Sequence, residues 1–213
     1  MDTKKSPETI RKKLGDIVSF VLPQRQPASA KDGVPYITVD VLEQGSEDVS
    51  AKNQKLADVH PSDIILIKDG YHSGAVFRGL EGRLGSTLIS LRINDHHLIH
   101  YDFLLYYLTY LSFKMKGFQR GDTIRHLNRF LLKSQMIPIP SMQEQLYICQ
   151  ELKDIECLVS EIRKRVYKIS QILKPVNLKD KSSISKMNKT IMSFANSAWL
   201  GQLSKVFKRY EDQ

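Results

Sequence analysis

Little in this sequence suits a secreted or membrane-spanning protein. Only two cysteines occur among 213 residues, and apolar runs such as FLLYYL (103–108) stop far short of the about 20 residues a spanning helix needs. The N-terminal MDTKKSPETIRKK has no apolar core of a secretory signal. Cys149 and Cys157 lie on one expected helix, about 12 Å apart along its axis, too far for a disulfide within it. A reducing, cytoplasmic setting with no membrane partner is the expectation.

Catalytic signatures are equally scarce. There is no G-x-x-x-x-G-K-[ST] phosphate loop, and DGYHSGAVFRGLEG (69–82) lacks the spacing of a dinucleotide or phosphate cradle, so its glycines read as turns between strands. HSG (72–74) is not a nucleophile elbow, and Ser73 has no evident base. His96, His97 and His100 lie near Asp95 and Asp102, but adjacent residues point apart on any regular element, which excludes a simple zinc site. No Asn-Pro-Pro-aromatic motif for base methylation occurs, and the ELK at 151–153 is an ordinary helix-surface charge pattern rather than a nuclease triplet. The expectation is a protein with no active site, cofactor or metal of its own.

What is present is positive charge, unevenly placed. The net charge is +9 and the pI about 9.4, which favours an anionic partner such as double-stranded DNA. Residues 114–133 carry six Lys or Arg against one Asp, whereas residues 40–63 carry six Asp or Glu against two Lys. That asymmetry suggests one basic face.

Three parts follow from periodicity. Residues 1–140 are mixed: VPYITVDV (34–41), DIILIK (63–68) and TLISLRI (87–93) read as strands, with glycines 70, 74, 79, 82 and 85 in the turns. YDFLLYYLTYLSF (101–113) has apolar residues at 104, 107, 108 and 111, the spacing of a helix face, and NRFLLKS predicts a short helix capped by Asn128. In IPIPSMQEQ (137–145) two prolines enforce extended chain, and Ser141 with Glu144 then forms a capping box that starts a helix. Within residues 141–174, Ile148, Leu152, Ile155, Val159, Ile162, Val166, Ile169 and Leu173 alternate steps of four and three, a heptad seam suited to a coiled coil. Pro175 ends that helix. In residues 175–213, KDKSSISK reads as a loop, and Ile184, Met187, Ile191, Phe194 and Ala198 mark a second, shorter amphipathic helix. The fold class expected is α+β: a globular domain with a mixed sheet, a long coiled-coil helix and a shorter C-terminal helix.

The run GDTIRHLNRFLLKSQMIPIPSMQEQ (121–145) resembles the end of a target-recognition domain in specificity subunits of Type I restriction-modification systems. The matching residues are Gly121, Thr123, His126, Leu127, Asn128, Ile137, Pro138, Ile139, Pro140, Glu144 and Gln145. KLGDI (13–17) is similar to the family's opening strand, residues 63–92 to its central strand–turn–strand block, and IMSFANSAWLGQL (191–203), more loosely, to its closing segment. The resemblance implies a non-catalytic, cytoplasmic subunit that reads DNA while methyltransferase and restriction subunits do the chemistry. Family members carry two recognition domains and two long helices. This chain holds one of each, so a homodimer is implied, its antiparallel helices spacing two half-sites of a bipartite target.

Candidate DNA-binding residues are Lys68, Tyr71, His72 and Arg78 in the central turn and Lys114, Lys116, Gln119, Arg120 and Arg125 after the aromatic helix. The eight seam residues from Ile148 to Leu173 are the candidate dimerisation residues, and the seam is about 37 Å long, close to one turn of B-DNA. A coiled-coil scaffold or decoy that binds the partner subunits without reading DNA is the alternative.

Overall fold

The computed structural model describes residues 9–23, 34–44, 50–51, 57–114, 119–120, 126–173 and 181–210. The chain divides into two compact units, Met1–Gln145 and Leu146–Gln213. The first is a mixture of helix and strand, and the second is helical.

In chain order the elements of the first unit are β1 (Ile10–Lys13), α1 (Leu14–Ile17), β2 (Val18–Val21), β3 (Val34–Ile37), α2 (Val39–Gln44), β4 (Ser50–Ala51), β5 (Asp58–Val59) and β6 (Ile64–Ile67). They continue through β7 (Val76–Arg78), β8 (Gly82–Leu84), β9 (Leu88–Ile93), α3 (Tyr101–Lys114), β10 (Gln119–Arg120), β11 (His126–Leu127), α4 (Arg129–Lys133) and β12 (Met136–Ile139). One four-stranded sheet is antiparallel throughout, in the order β2-β9-β6-β7. The other, β4-β3-β8-β5, is mixed because β3 and β8 run parallel. Ile65 and Ile67 of β6 and Leu88 of β9 share one core with Ile37, Val59 and Leu84 of the mixed sheet. Ile64 and Leu66, on the opposite face by the two-residue period of a strand, are buried too, so β6 is apolar at every position. Gly85 fits where a Cβ would run into the Ile37 carbonyl, which lets the chain pass close to β3.

Five local readings are corrected by tertiary context. VPYITVDV does not continue as one strand: β3 stops at Ile37, and Thr38 starts α2 by accepting from the Val41 and Leu42 amides through its hydroxyl (3.3 Å) and carbonyl (3.1 Å). KLGDI is a helical turn after β1, because Leu14 and Ile17, three apart and both buried, share a face only in a helix. α3 has no solvent stripe among its middle residues, since Phe103 to Leu108 are all buried, and it is a core helix rather than an amphipathic one. The other two corrections fall in the second unit.

The end of the first unit is tied twice. β12, the Ile-Pro-Ile segment, pairs antiparallel with β1 in the register Ile10↔Ile139 to Lys13↔Met136, which returns the chain to its start. Helix α5 (Met142–Leu173) then begins, and the Glu144 amide donates to the Ser141 hydroxyl at 3.3 Å. Gln145 is completely buried. Its amide accepts from the His100 N–H (2.8 Å) and donates to the Leu98 and Pro140 carbonyls (3.1 and 2.9 Å), clamping the first turn of α5 to the loop before α3. A compact unit ending at Gln145, rather than at residue 140, follows from that clamp.

The second unit consists of α5 beyond Gln145, α6 (Lys181–Phe207) and a 3-10 turn at Lys208–Tyr210. Helix starts at Lys181, within the stretch read as a loop, because lysine and serine are acceptable helix residues and no glycine or proline intervenes. Tyr147 donates to Glu151 at 2.6 Å, which raises the pKa of its phenol, and Arg209 lies near enough to act in the opposite sense. The end of the chain therefore returns to the start of α5, and the two helices are antiparallel. On α6 the buried stripe is Ala195, Trp199, Leu203 and Phe207, whereas Ile191, Phe194 and Ala198 of the expected face are exposed. Steps of four, not alternating three and four, select that stripe.

Asp63, just ahead of β6, is the buried charge of the first unit. Its carboxylate takes two bonds from Arg92 (2.9 and 2.8 Å) and one from the His60 amide (3.1 Å). Burial pushes its pKa up, but the Arg92 hydrogen bonds and the amide outweigh that, and the net effect is below the ordinary carboxylate value. Stability drawn from this site is therefore complete above that ordinary value, about 4, and is lost as pH falls through the lower folded value. Asp63→Asn is expected to cost about 2–4 kcal/mol in urea unfolding at pH 7 and to flatten the acid limb of the stability curve below about pH 4. In the second unit, Leu203→Ala is expected to cost about 2–5 kcal/mol, whereas Phe194→Ala, at a site 77% exposed, changes the stability of the monomer by under about 0.5 kcal/mol; thermal unfolding of both variants checks this.

Candidate nucleic-acid interface

Strands β6 and β7 are joined by a compact turn that holds itself rigid. Gly70 and Gly74 take positive φ, 110° and 91°, which a residue with a Cβ adopts only under strain. Within the turn the Ser73 amide donates to the Gly70 carbonyl (3.1 Å), Gly74 to Ile67 (2.8 Å) and Ala75 to His72 (3.0 Å). The buried Ser73 hydroxyl donates to the Lys68 carbonyl at 3.1 Å. This scaffold lifts Tyr71 into solvent, 81% exposed, with the His72 ring edge-on at 5.0 Å. His72 is in turn 3.6 Å from Glu43 of α2.

A second segment docks beside the turn. The Leu127 amide of β11 donates to the Lys68 carbonyl at 2.8 Å, and Asp69 and His126 form an antiparallel bridge. The pair is reinforced by side chains, His126 Nδ1 lying 2.7 Å from Asp69 Oδ1. Directly after it, Asn128 caps α4 by accepting from the Phe130 and Leu131 amides (3.1 and 3.2 Å), the role expected of it. β10 pairs with β11 so that Arg120 stands opposite His126 and Gln119 opposite Leu127.

A family model described as the Type I restriction modification DNA specificity domain matches residues 9–172, most of the chain. The chain belongs to that family. It is 26% identical over 160 residues to the Type I restriction enzyme MjaVIII specificity subunit of Methanocaldococcus jannaschii, covering 72% of this chain and 37% of that subunit. It is 25% identical over 146 residues to the EcoBI specificity subunit of Escherichia coli, covering 68% and 31%. Among solved structures, the S subunit of a Type I system from M. genitalium superposes with a TM-score of 0.59 at 16% identity, over 81% of this chain and 45% of that one. The HsdS subunit of Thermoanaerobacter tengcongensis gives 0.56 at 19% identity, over 95% and 47%. This specificity-domain chain thus spans about a third of the curated relatives and under half of the solved ones.

The nine candidate DNA residues of the specificity domain fare differently. Tyr71 and His72 share the exposed tip. Lys68 is held inward: its ammonium donates to the Ser86 carbonyl (3.1 Å) and pairs with Asp69 (3.0 Å), which makes it a brace of the turn. Arg78 pairs with Asp102 at 2.5 Å and lies over the Tyr101 and Tyr106 rings at 5.8 and 6.0 Å, so it joins β7 to α3. Both are corrections, and the reason is common to them: a carboxylate and a carbonyl or ring within reach outcompete solvent for a half-buried cation. Lys114 ends α3, and Gln119 and Arg120 form β10, but their side chains lie outside the described residues, as do Lys116 and Arg125 altogether. Of the seam residues, Ile148, Leu152 and Val159 are buried within the chain itself, a correction to their reading as open dimer contacts. Ile155 is half-buried and Ile162 exposed, while the side chains of Val166, Ile169 and Leu173 lie outside the described residues.

Asp69 and Glu43 were not among the residues singled out from sequence, and His126 was noted only as part of a motif. The one signal was the Gly-x-Thr-x-x-His-Leu-Asn spacing; the partner of the histidine, 57 residues earlier, gives none. Tyr71→Ala is expected to leave the melting temperature unchanged, within about 0.5 kcal/mol, and to weaken duplex DNA binding severalfold in a gel-shift titration.

Proposed function

We propose that this chain is the non-catalytic DNA-reading subunit of a Type I restriction-modification complex. It reads a half-site with the Tyr71–His72 turn and the β10–β11 segment and positions methyltransferase and restriction subunits. The observation that carries this reading is the specificity-domain match over residues 9–172, joined to a rigid turn that offers an aromatic and an imidazole to solvent. The net charge of +9 supports it, since phosphate contacts supply most of the affinity of such interfaces.

The second part of the proposal is a homodimer through the helical unit, giving two recognition domains and a bipartite target whose gap the helices set. Leu158 and Ile162 on α5 and Ile191 and Phe194 on α6 are large apolar residues exposed in the single chain. Ile162 and Phe194 each stand fifteen residues from the adjoining pair Tyr147 and Arg209, so they fall at the same height on the antiparallel helices. Contact with a second copy removes this surface from water.

Two measurements test the reading. Light scattering of the full chain is expected to give about 49 kDa, twice 24.5 kDa, and Leu158→Lys with Phe194→Lys to return the monomer. Gel shifts are expected to show binding to duplex DNA that weakens steeply with salt. A strict monomer at high concentration overturns the dimer, and no salt-dependent binding with or without a methyltransferase partner favours a scaffold that does not read DNA.

A further inference from the structure

The Asp69–His126 pair does more than join two segments. An ionised carboxylate only accepts hydrogen bonds, so the imidazole nitrogen facing it, Nδ1, is the one that carries the proton and donates at 2.7 Å. In the neutral ring this leaves Nε2 an acceptor, pointing away from Asp69. The ring cannot turn over without giving up that bond. Asp69 is itself immobilised: its other oxygen takes Lys68 Nζ at 3.0 Å, the same ammonium donates to the Ser86 carbonyl at 3.1 Å, and the backbones of Asp69 and His126 are bridged. The imidazole nevertheless remains 59% exposed, two residues along the turn from the outstanding Tyr71. A histidine whose only role was to staple β11 to the turn has no need of that exposure, because the backbone bridge and the Leu127–Lys68 bond already do so.

Resting on the proposed DNA reading, we infer that His126 is a specificity-determining residue and Asp69 its positioning residue. A fixed acceptor at Nε2 matches the exocyclic amino groups that adenine and cytosine show in the major groove and is mismatched to the carbonyls of thymine and guanine. The carboxylate selects the tautomer, and the tautomer selects the base.

The test uses the full chain, expressed with a methyltransferase subunit, and a library of randomised duplexes from which bound DNA is recovered and sequenced. The wild type is expected to enrich a motif containing one position restricted to A or C. His126→Ala is expected to relax that position alone to all four bases, losing about tenfold in discrimination there, with the rest of the motif intact. Asp69→Asn keeps the shape and the backbone bridge but lets Nδ1 accept from the amide. It is expected to admit G or T at that same position, which a purely structural role does not produce. An unchanged motif in both variants overturns the inference, and so does a uniform loss at every position. A wild type that enriches no motif overturns the DNA reading beneath it.

Discussion

The structure of the recognition unit depends on one strand being dry on both sides. Ile64 to Ile67 of β6 lie between β9 and β7 in one sheet, present Ile65 and Ile67 to the core shared with the mixed sheet, and bury Ile64 and Leu66 on the other face. A strand with no wet face has no alternative register, since a slip by one residue gains nothing and breaks every pairing. Its two ends are held accordingly. At the start is the Asp63–Arg92 ion pair with the His60 amide; at the finish, the chain enters the turn that carries Tyr71. The rigidity of that tip is inherited from the strand beneath it, because the Gly74 amide and the Ile67 carbonyl close the turn directly onto β6.

Positive charge behaves here in a way that its sum conceals. The cations of the central block whose surroundings are described are largely spent inside the protein: Arg92 on Asp63, Arg78 on Asp102 and two tyrosine rings, Lys68 on Asp69 and the Ser86 carbonyl. Such groups order the loops on which recognition residues stand. Attraction to phosphate is left to other positions, and the basic stretch 114–133 is the richest source of them. The division suits a reader of sequence, in which long-range charge brings the duplex close and a few short, stiff side chains make the choice.

The helical unit shows a different economy. Its first buried residues on α5, Ile148, Cys149 and Leu152, follow immediately on the Gln145 clamp, and its last, Leu203, Phe207 and Tyr210, lie where the chain comes back to Tyr147. Apolar side chains further along, Leu158, Ile162, Ile191 and Phe194, are left to solvent. One chain therefore covers the apolar surface of this unit at one end and leaves it open toward the middle. A seam that looks uniform in sequence is thus divided in use.

The sequence by itself determined those features whose cause is local. Two prolines made β12 extended, Ser141 and Asn128 capped the helices that follow them, and the apolar runs at 64–67 and 88–93 became strands, since each needs only its neighbours to act. Tertiary structure decided the rest. Whether Lys68 and Arg78 reach out or fold in depended on Asp69, Ser86 and Asp102, partners that backbone pairing brought near. The buried stripe of α6 was chosen among several apolar spacings by what it packs against. His126 acquired its orientation from a carboxylate 57 residues away. Local propensity acts over a few residues, but a hydrogen bond across a fold is worth having only once the chain has already closed the loop between its two ends, and that closure is not written in either neighbourhood.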